Sequence, residues 1–408
     1  MTDLSAFAES ANPFARGITG EYFVGREPEL KRFRANLPGL RIRQPNHELV
    51  AGLEGTGKSY YLHKLAEIAR QENFIGLVLT LDANVTPYLQ IKPILGEIID
   101  QLQYQVAKKK NKPQSGELKR DWDAGQKSTL FKFPQQDMLV TSNLRSDFKM
   151  LANRVKEYEF DGVVVCLDEG QRIEPLALSG LKNALESDGS FQIVLSWRLL
   201  TDTGGAGEAG RRALRERATR GEQDQGAERM FGIPTGLGPF TELEVRRFFA
   251  TRLANKAIGF SDEVCDRLGE ITNRTPGWMT DFASKVYDKA LTDQILQVDV
   301  GLLDDCFQER YSDDVKRAFD LCAELPKDMK DIMKALCEFT EPKSVTELVD
   351  RAFPNLQDPF RTGYAEAKGG RLDDLCKKSA MIIKNEEGQF VVANNAGRYA
   401  LKIAMGIT

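Results

Sequence analysis

Residues 52 to 59 read Gly52-Leu53-Glu54-Gly55-Thr56-Gly57-Lys58-Ser59, a complete G-x-x-x-x-G-K-S phosphate-binding loop. Glycines at these positions let successive backbone N–H groups turn inward around phosphate oxygens. Lys58 carries a positive charge to the β and γ phosphates, and Ser59 offers a hydroxyl to the Mg2+ ion that accompanies ATP. Gly52, Glu54, Gly55, Thr56, Gly57, Lys58 and Ser59 are therefore candidate nucleotide-binding residues. A second constellation follows about 110 residues later. The run Val163-Val164-Val165-Cys166-Leu167 ends in Asp168-Glu169. There Asp168 suits a magnesium ligand, and Glu169 suits the base that orients and polarises the attacking water. A third run, Phe191 to Leu195, ends on Ser196-Trp197-Arg198. Ser196 is placed either between the two motifs near the terminal phosphate or as a plain polar strand end.

The flanks supply what such a site needs. Glu48-Leu49-Val50-Ala51 is a short apolar run expected to be a buried strand, and Leu62, Leu65, Ala66, Ile68 and Ala69 recur at helical spacing just after the loop. The order strand, glycine loop, helix points the positive end of a helix at the phosphates. Phe74 to Leu81 reads as a further strand, and the continuously apolar run at 163–167 reads as a central parallel one. A helix is expected from Pro28 to about Leu37. The region 89–158 reads as helices with a loop insertion that holds Lys108-Lys109-Lys110 and the segment 127–133. The basic run is either a phosphate contact or a solvated helix end. Residues 202–229 are rich in Gly, Arg and Glu, a composition that favours exposure.

After Gly238-Pro239-Phe240 the pattern turns helical. Thr241-x-x-Glu244 and Ser261-Asp262-Glu263 are helix starts, and helices are expected over 241–256, 261–272, 277–292 and 300–312. A last unit has helices at 326–339 and 344–353, the second with a Ser344/Glu347 capping box, and a third ending near Lys378. Met381-Ile382-Ile383 and Phe390-Val391-Val392 then flank Asn385-Glu386-Glu387-Gly388 as a hairpin. Three helices and a two-stranded wing make a winged helix.

Composition bounds the alternatives. The 408 residues hold two or three domains, with 41% hydrophobic and 28% charged residues and a net charge of −4. No global basic field draws the chain to nucleic acid, so any DNA contact must be local. Six scattered cysteines and two histidines, with no C-x-x-C pair, give no basis for a zinc site and read as core thiols in a reducing compartment. With no apolar signal region and no run of membrane-spanning length, a cytoplasmic protein is the expectation, with no membrane partner.

With both motifs and the lid in place, the chain resembles the AAA+ and STAND branches of P-loop ATPases. The likeness extends to the C-terminal winged helix of replication-initiator-like and mobile-element ATPases. It implies an α/β P-loop NTPase core, a parallel sheet flanked by helices, followed by a helical lid and a winged-helix domain. The boundaries expected are 1–45 for an N-terminal adenine-side segment, 46–240 for the core, 241–318 for the lid and 319–408 for the winged helix. Asn12-Pro13-Phe14 with Phe23-Val24-Gly25-Arg26-Glu27 looks like the adenine-side box of that group, which implies that Val24 and Gly25 lie near the base. By the same resemblance Gly52–Ser59 and Asp168-Glu169 are the Walker A and Walker B motifs, and Ser196 falls at the sensor-one position. Arg229 lies where relatives place a finger arginine that completes a neighbour's site. Asn273-Arg274-Thr275-Pro276-Gly277 resembles the G-x-P element of the lid. Here Gly277 stands where some relatives carry a sensor-two arginine, with Arg274 the available substitute.

Two functions follow from the resemblance. One is a slow, partner-stimulated ATPase that assembles as an ATP-dependent homo-oligomer on DNA or a DNA-bound complex. The other is a STAND-like signalling or defence switch whose winged helix docks a protein partner. Arg361, Lys368, Arg371, Lys377, Lys378 and Lys384 would serve phosphate contacts in the first, whereas Asp373-Asp374 and Glu386-Glu387 oppose them.

Overall fold

The apolar runs that mark the sheet have no polar alternation, and the reason is visible in the packing. The computed structural model describes residues 12–15, 22–82, 87–110, 141–185, 188–199, 230–231, 234–323, 325–339, 342–356, 360–378, 381–385, 387–392 and 395–407. Strands β1 (Glu48–Gly52), β2 (Ile75–Thr80), β3 (Val163–Asp168), β4 (Phe191–Arg198) and β5 (Thr235–Gly236) form one parallel sheet in the order β2-β3-β4-β1-β5. Alternate residues serve opposite faces. Leu49, Ala51, Val163, Val165, Leu167, Ile193 and Leu195 pack with the helices α3 (Pro87–Lys110), α4 (Thr141–Glu157) and α5 (Pro175–Leu185). Val50, Val164, Cys166 and Val194 pack with α1 (Glu27–Arg41) and α2 (Lys58–Gln71). Both faces are covered, so the strand interiors show no polar alternation, although Glu48 opens β1 and Gln192 and Ser196 are buried within β4. This is the expected P-loop NTPase core.

Two compact units divide the chain: 18–239, and 1–17 together with 240–408. The second unit begins with the lid helices α6 (Glu242–Leu253), α7 (Asp262–Ile271), α8 (Pro276–Thr292), α9 (Val300–Arg310) and α10 (Ser312–Ala323). Short strands β6 (Gly259–Phe260) and β7 (Gln297–Val298) pair in parallel within it. The caps read from sequence form. Thr241 and Glu244 make a reciprocal box at the start of α6, Ser261 accepts from the Val264 N–H, and Ser344 and Glu347 repeat the box at α12 (Val345–Ala352). The winged helix comprises α11 (Lys327–Glu338), α12, α13 (Phe360–Lys378) and the antiparallel pair β8 (Ile382–Lys384) and β9 (Phe390–Val392), closed by α14 (Asn395–Ala404).

Four differences from the sequence reading have physical causes. Helix α1 runs on through Pro38 to Arg41, because Leu40 continues its buried stripe. Strand β4 extends to Arg198, which puts Ser196 inside the strand. Helices α10 and α14 were not expected. Their apolar residues, Val315, Ala318 and Cys322 on one and Ala400 and Leu401 on the other, are buried as these two helices pack together. The segment expected over 1–45 is divided between the units. Phe14 is buried in the lid unit, 5.8 Å from the Phe260 ring, 5.9 Å from Phe249 and 6.0 Å from Phe248. Arg252 donates to the Pro13 carbonyl at 2.7 Å, and the Asn12 amide donates to Asp288 at 2.7 Å. Asn12-Pro13-Phe14 is thus a structural plug of the lid, whereas Glu27–Arg41 belongs to the unit that holds the parallel sheet. Among the described residues no helix is long and apolar enough to cross a membrane.

One core position is costly. Asp147 lies on the buried stripe of α4 between Leu144 and Leu151, and its Oδ2 has no hydrogen-bond partner among the described residues. Burial pushes its carboxyl up to about 7. In the unfolded chain the same group titrates near about 3.9. The folded state therefore holds this proton to higher pH, and stability from this source falls as pH rises from about 4 to about 7. Asp147→Asn should match the parent near pH 4 and exceed it above pH 7, by at most about 4 kcal/mol for a shift of roughly three units. Urea unfolding of both proteins across that range reads the difference, and a constant offset at all pH values would refute the account.

Candidate nucleotide-binding site

The candidate residues gather at the C-terminal edge of the parallel sheet. In open α/β sheets this edge collects the loops of several strands. Gly52 ends β1, and Lys58 and Ser59 begin α2. The loop between them needs its glycines. Gly55 and Gly57 have φ of 79° and 88°, a region that penalises a Cβ. At Gly52 a Cβ would lie 2.6 Å from both the Leu237 carbonyl oxygen and the Thr56 hydroxyl. The Thr56 hydroxyl itself donates to the Leu53 carbonyl at 2.9 Å and braces the turn.

Lys58 Nζ donates to the carbonyls of Gly52 at 3.0 Å and Leu53 at 2.7 Å. Burial pushes its ammonium pKa down, with Asp168 and Glu169 pulling it back up and Arg198 adding to the lowering. The acidic pair is thus close enough to favour the charged form that a phosphate requires.

The second motif meets the first directly. Asp168 ends β3, and β4 lies between β3 and β1. Across that gap the Ser59 hydroxyl donates to Asp168 Oδ2 at 2.5 Å. The Ser196 hydroxyl, fully buried on β4, donates to Asp168 Oδ1, also at 2.5 Å. The Glu169 N–H donates to both Asp168 Oδ1 at 2.9 Å and Ser196 Oγ at 3.1 Å. Four residues, Ser59 at the start of α2, Asp168 at the end of β3, Glu169 just after it and Ser196 inside β4, therefore form one hydrogen-bonded chain. A hydroxyl and a carboxylate side by side are hard oxygen donors, and Ser59 with Asp168 fit a magnesium ion that also takes phosphate oxygens and water. Glu169 has φ of 57°, left-handed for a non-glycine residue. Its carboxylate accepts from Gln171 Nε2 and stands 3.7 Å from Arg172 Nε.

Other expected residues are placed differently. Gly25 is buried and Val24 half-buried just before α1, in the same unit as the loop. Arg229 and the arginines at 211–220 lie outside the described residues. Arg274, in the lid unit, has φ of 51° and lies 3.7 Å from Glu242.

Two residues of the site were missed from sequence. Arg198 forms an ion pair with Glu54 of the phosphate loop. In the strand end Ser196-Trp197-Arg198 the sequence singles out only the serine. Gln171 bridges Glu169 and the Arg198 N–H, whose hydrogen bond to Gln171 Oε1 is 3.1 Å. No spacing rule marks such a bridge.

Residues 22–195 match the family model of the AAA ATPase domain. Among solved structures, the chain is similar to the ORC2 protein of Aeropyrum pernix in ADPNP and ADP complexes, at 13% identity over 98% of this chain and 99% of that one, with a TM-score of 0.48. It is also similar to the ORC1 protein of the same organism in complex with DNA, at 15% identity over 97% and 95%, with a TM-score of 0.44. The RuvB Holliday junction branch migration motor of Thermotoga maritima is similar at 15% identity over 95% and 98%, with a TM-score of 0.42. No curated protein matches the sequence.

Ser196 is the testable joint of this arrangement. Ser196→Ala removes the donor to Asp168 and one acceptor of the Glu169 N–H. Loss of a buried hydrogen-bonded partner should cost about 1–3 kcal/mol. Denaturant unfolding in the absence of nucleotide reads this, and an unchanged midpoint would show that Ser196 does not hold the acidic pair.

Proposed function

We propose that this chain, whose residues 22–195 form an AAA ATPase domain, is an ATP-driven switch that binds and hydrolyses ATP and couples the nucleotide state to docking of its C-terminal unit. The observation that carries the reading is the continuous contact from the phosphate loop to the acidic pair, Ser59 to Asp168 at 2.5 Å and Asp168 to Glu169 through the backbone N–H at 2.9 Å. In this reading the N–H groups of residues 55–59 hold the phosphates, and Lys58 exchanges its two carbonyl partners for phosphate oxygens. Magnesium, when bound by Ser59 and Asp168, supplies charge neutralisation at the phosphates. Glu169 takes the proton of the attacking water, with Gln171 and Arg172 fixing the direction of its carboxylate. Arg198, paired with Glu54 beside Lys58, is a further cation on the phosphate side.

The choice of partner rests on the winged helix. Lys368 is buried and paired with Asp328, which also accepts from the Tyr364 hydroxyl at 3.1 Å. Lys384 pairs with Asp373 at 2.7 Å, and Lys377 stands 3.8 Å from Asp374. Three of the lysines that would contact DNA phosphates are thus held by acids of their own domain, with Arg371 exposed. This supports docking of a protein partner over direct grip on DNA by this face. Assembly into an ATP-dependent homo-oligomer, with Arg229 entering a neighbour's site, belongs to the same proposal.

Three measurements test it. Lys58→Ala should weaken ATP binding by about 10- to 100-fold, the worth of one charge-assisted hydrogen bond of about 1.5–3 kcal/mol. Calorimetry on the folded variant decides, and an unchanged affinity rejects the phosphate-loop reading. Glu169→Gln should keep ATP and Mg2+ binding while hydrolysis falls by about 100-fold or more. Turnover near the parent rate would remove Glu169 as the base. Finally, ATPase turnover should be indifferent to added duplex DNA. A DNA stimulation that falls steeply with salt would instead favour the DNA-assembled machine.

A further inference from the structure

Strand β5 has two residues, yet several holds converge on the chain that leaves it. At its start the Thr235 hydroxyl donates to the buried Glu48 carboxylate, and Arg32 reaches both. Next, the Leu237 N–H donates to the Ala51 carbonyl at 2.7 Å. The Leu237 carbonyl packs so closely on Gly52, the first glycine of the phosphate loop, that no side chain fits there. At Gly238 the hold is a side chain. Arg26 Nη2 donates to the Gly238 carbonyl at 2.5 Å and stands 3.5 Å from the carbonyl of Thr56, inside the phosphate loop.

The backbone that aims this side chain is strained. Gly25 and Arg26 are successive left-handed residues, with φ of 78° and 65°. Glycine takes that conformation freely, whereas arginine does so at a cost that surrounding structure must hold in place. Arg26 is buried and serves as N-cap of α1 without a side-chain cap bond. Its side chain is directed instead at two carbonyls 182 residues apart, as the positions 56 and 238 show. Gly238 immediately precedes Pro239, the last residue of the ATPase unit. A Cβ on Gly238 would meet nothing within 4 Å, so packing does not wedge this peptide on that face.

We propose that Arg26 is a positioning residue that couples the phosphate loop to the strand leading out of the ATPase unit. Thr56 lies between the two left-handed glycines, so a phosphate that draws in the N–H groups of this loop reorients the Thr56 carbonyl. One guanidinium group bonded to both carbonyls transmits that change to Gly238. The inference rests on the reading of 52–59 as the ATP site and adds a route by which its occupancy is reported.

The test uses the full chain with Arg26→Met and Arg26→Lys, ATP calorimetry, steady-state turnover, and amide exchange over 234–238 with and without a non-hydrolysable ATP analogue. The parent should bind the analogue and change its exchange in 234–238. Arg26→Met should bind with an affinity within about threefold, lose that change, and lower kcat by about tenfold at nearly constant KM. Arg26→Lys should restore part of the response, and it carries the decision if the methionine variant does not fold. A parent that binds no ATP refutes the nucleotide site and this inference together. A variant that binds ATP and keeps the full exchange response refutes the inference alone. So does a loss of affinity beyond about thirtyfold, which would make Arg26 a prop of the loop itself.

Discussion

The Ser59 hydroxyl and the Asp168 carboxylate meet at 2.5 Å, and the architecture of the ATPase unit answers to that contact. Ser59 follows β1 through the phosphate loop, at the start of α2, and Asp168 ends β3; β1 and β3 are not neighbours, because β4 separates them. They can meet only if all three strands run parallel, end at the same level, and carry side chains that span the gap. Register supplies the level: Leu195 pairs with both Leu49 and Leu167, so the three strands are aligned one residue before Ser196 and Asp168. Ser196 supplies the span. It donates to Asp168 from the middle strand and accepts from the Glu169 N–H, and so fixes the turn that follows β3. A two-layer or antiparallel arrangement would scatter these residues over opposite edges. The continuous apolar runs of β3 and β4, Val163 to Leu167 and Ile193 to Leu195, are the sequence-level consequence of covering such a sheet on both faces.

This dependence explains what the sequence discloses. The phosphate loop is local: its glycines, lysine and serine do their work within eight residues, and the helix it begins is visible from spacing alone. The acidic pair is nearly local, since a continuous apolar run ending in Asp-Glu needs only a parallel sheet to acquire its place. Caps at Thr241, Ser261 and Ser344 are local too. What escapes is contact between distant segments. Gln171 and Arg198 become part of the site through neighbours at 169 and 54, and nothing in their own surroundings marks them. Helices α10 and α14 each carry an apolar stripe of their own, Val315, Ala318 and Cys322 on one and Ala400 and Leu401 on the other, so both were legible and were passed over. The resemblance to an adenine-side box groups Phe14 with Val24 and Gly25, whereas its ring is buried among aromatics some 240 residues away, as the positions of Phe248 and Phe260 show.

Charge in the winged helix illustrates the limit of counting. From composition, six basic residues faced four acids, and the balance was open. The structure replaces a sum with a pairing. The Lys368 ammonium is buried on Asp328, and it holds that carboxyl below its usual range. Withdrawing such a lysine to serve a phosphate would leave an acid without its partner and cost desolvation already met within the domain. Exposed pairs such as Lys377 with Asp374 are weak and open to exchange. The distinction lies in burial rather than in net charge, and a protein-docking face needs no basic excess.

The chain crosses between its two compact units twice, between residues 17 and 18 and again between 239 and 240. Within the ATPase unit, both crossings lead to the same few residues. The incoming segment reaches α1 through Gly25 and Arg26, and the outgoing one leaves through Gly238 and Pro239. Arg26 joins them by its hydrogen bond to the Gly238 carbonyl. A two-residue edge strand is a poor anchor by ladder bonds alone, so the side-chain holds from Glu48, Arg32 and Arg26 set how firmly the exit is fixed. Of these, Arg26 alone also reaches the phosphate loop, at the Thr56 carbonyl. Within this unit one side chain therefore touches both the phosphate loop and the stretch that precedes the second crossing, which is the contact that the proposed route through Arg26 requires.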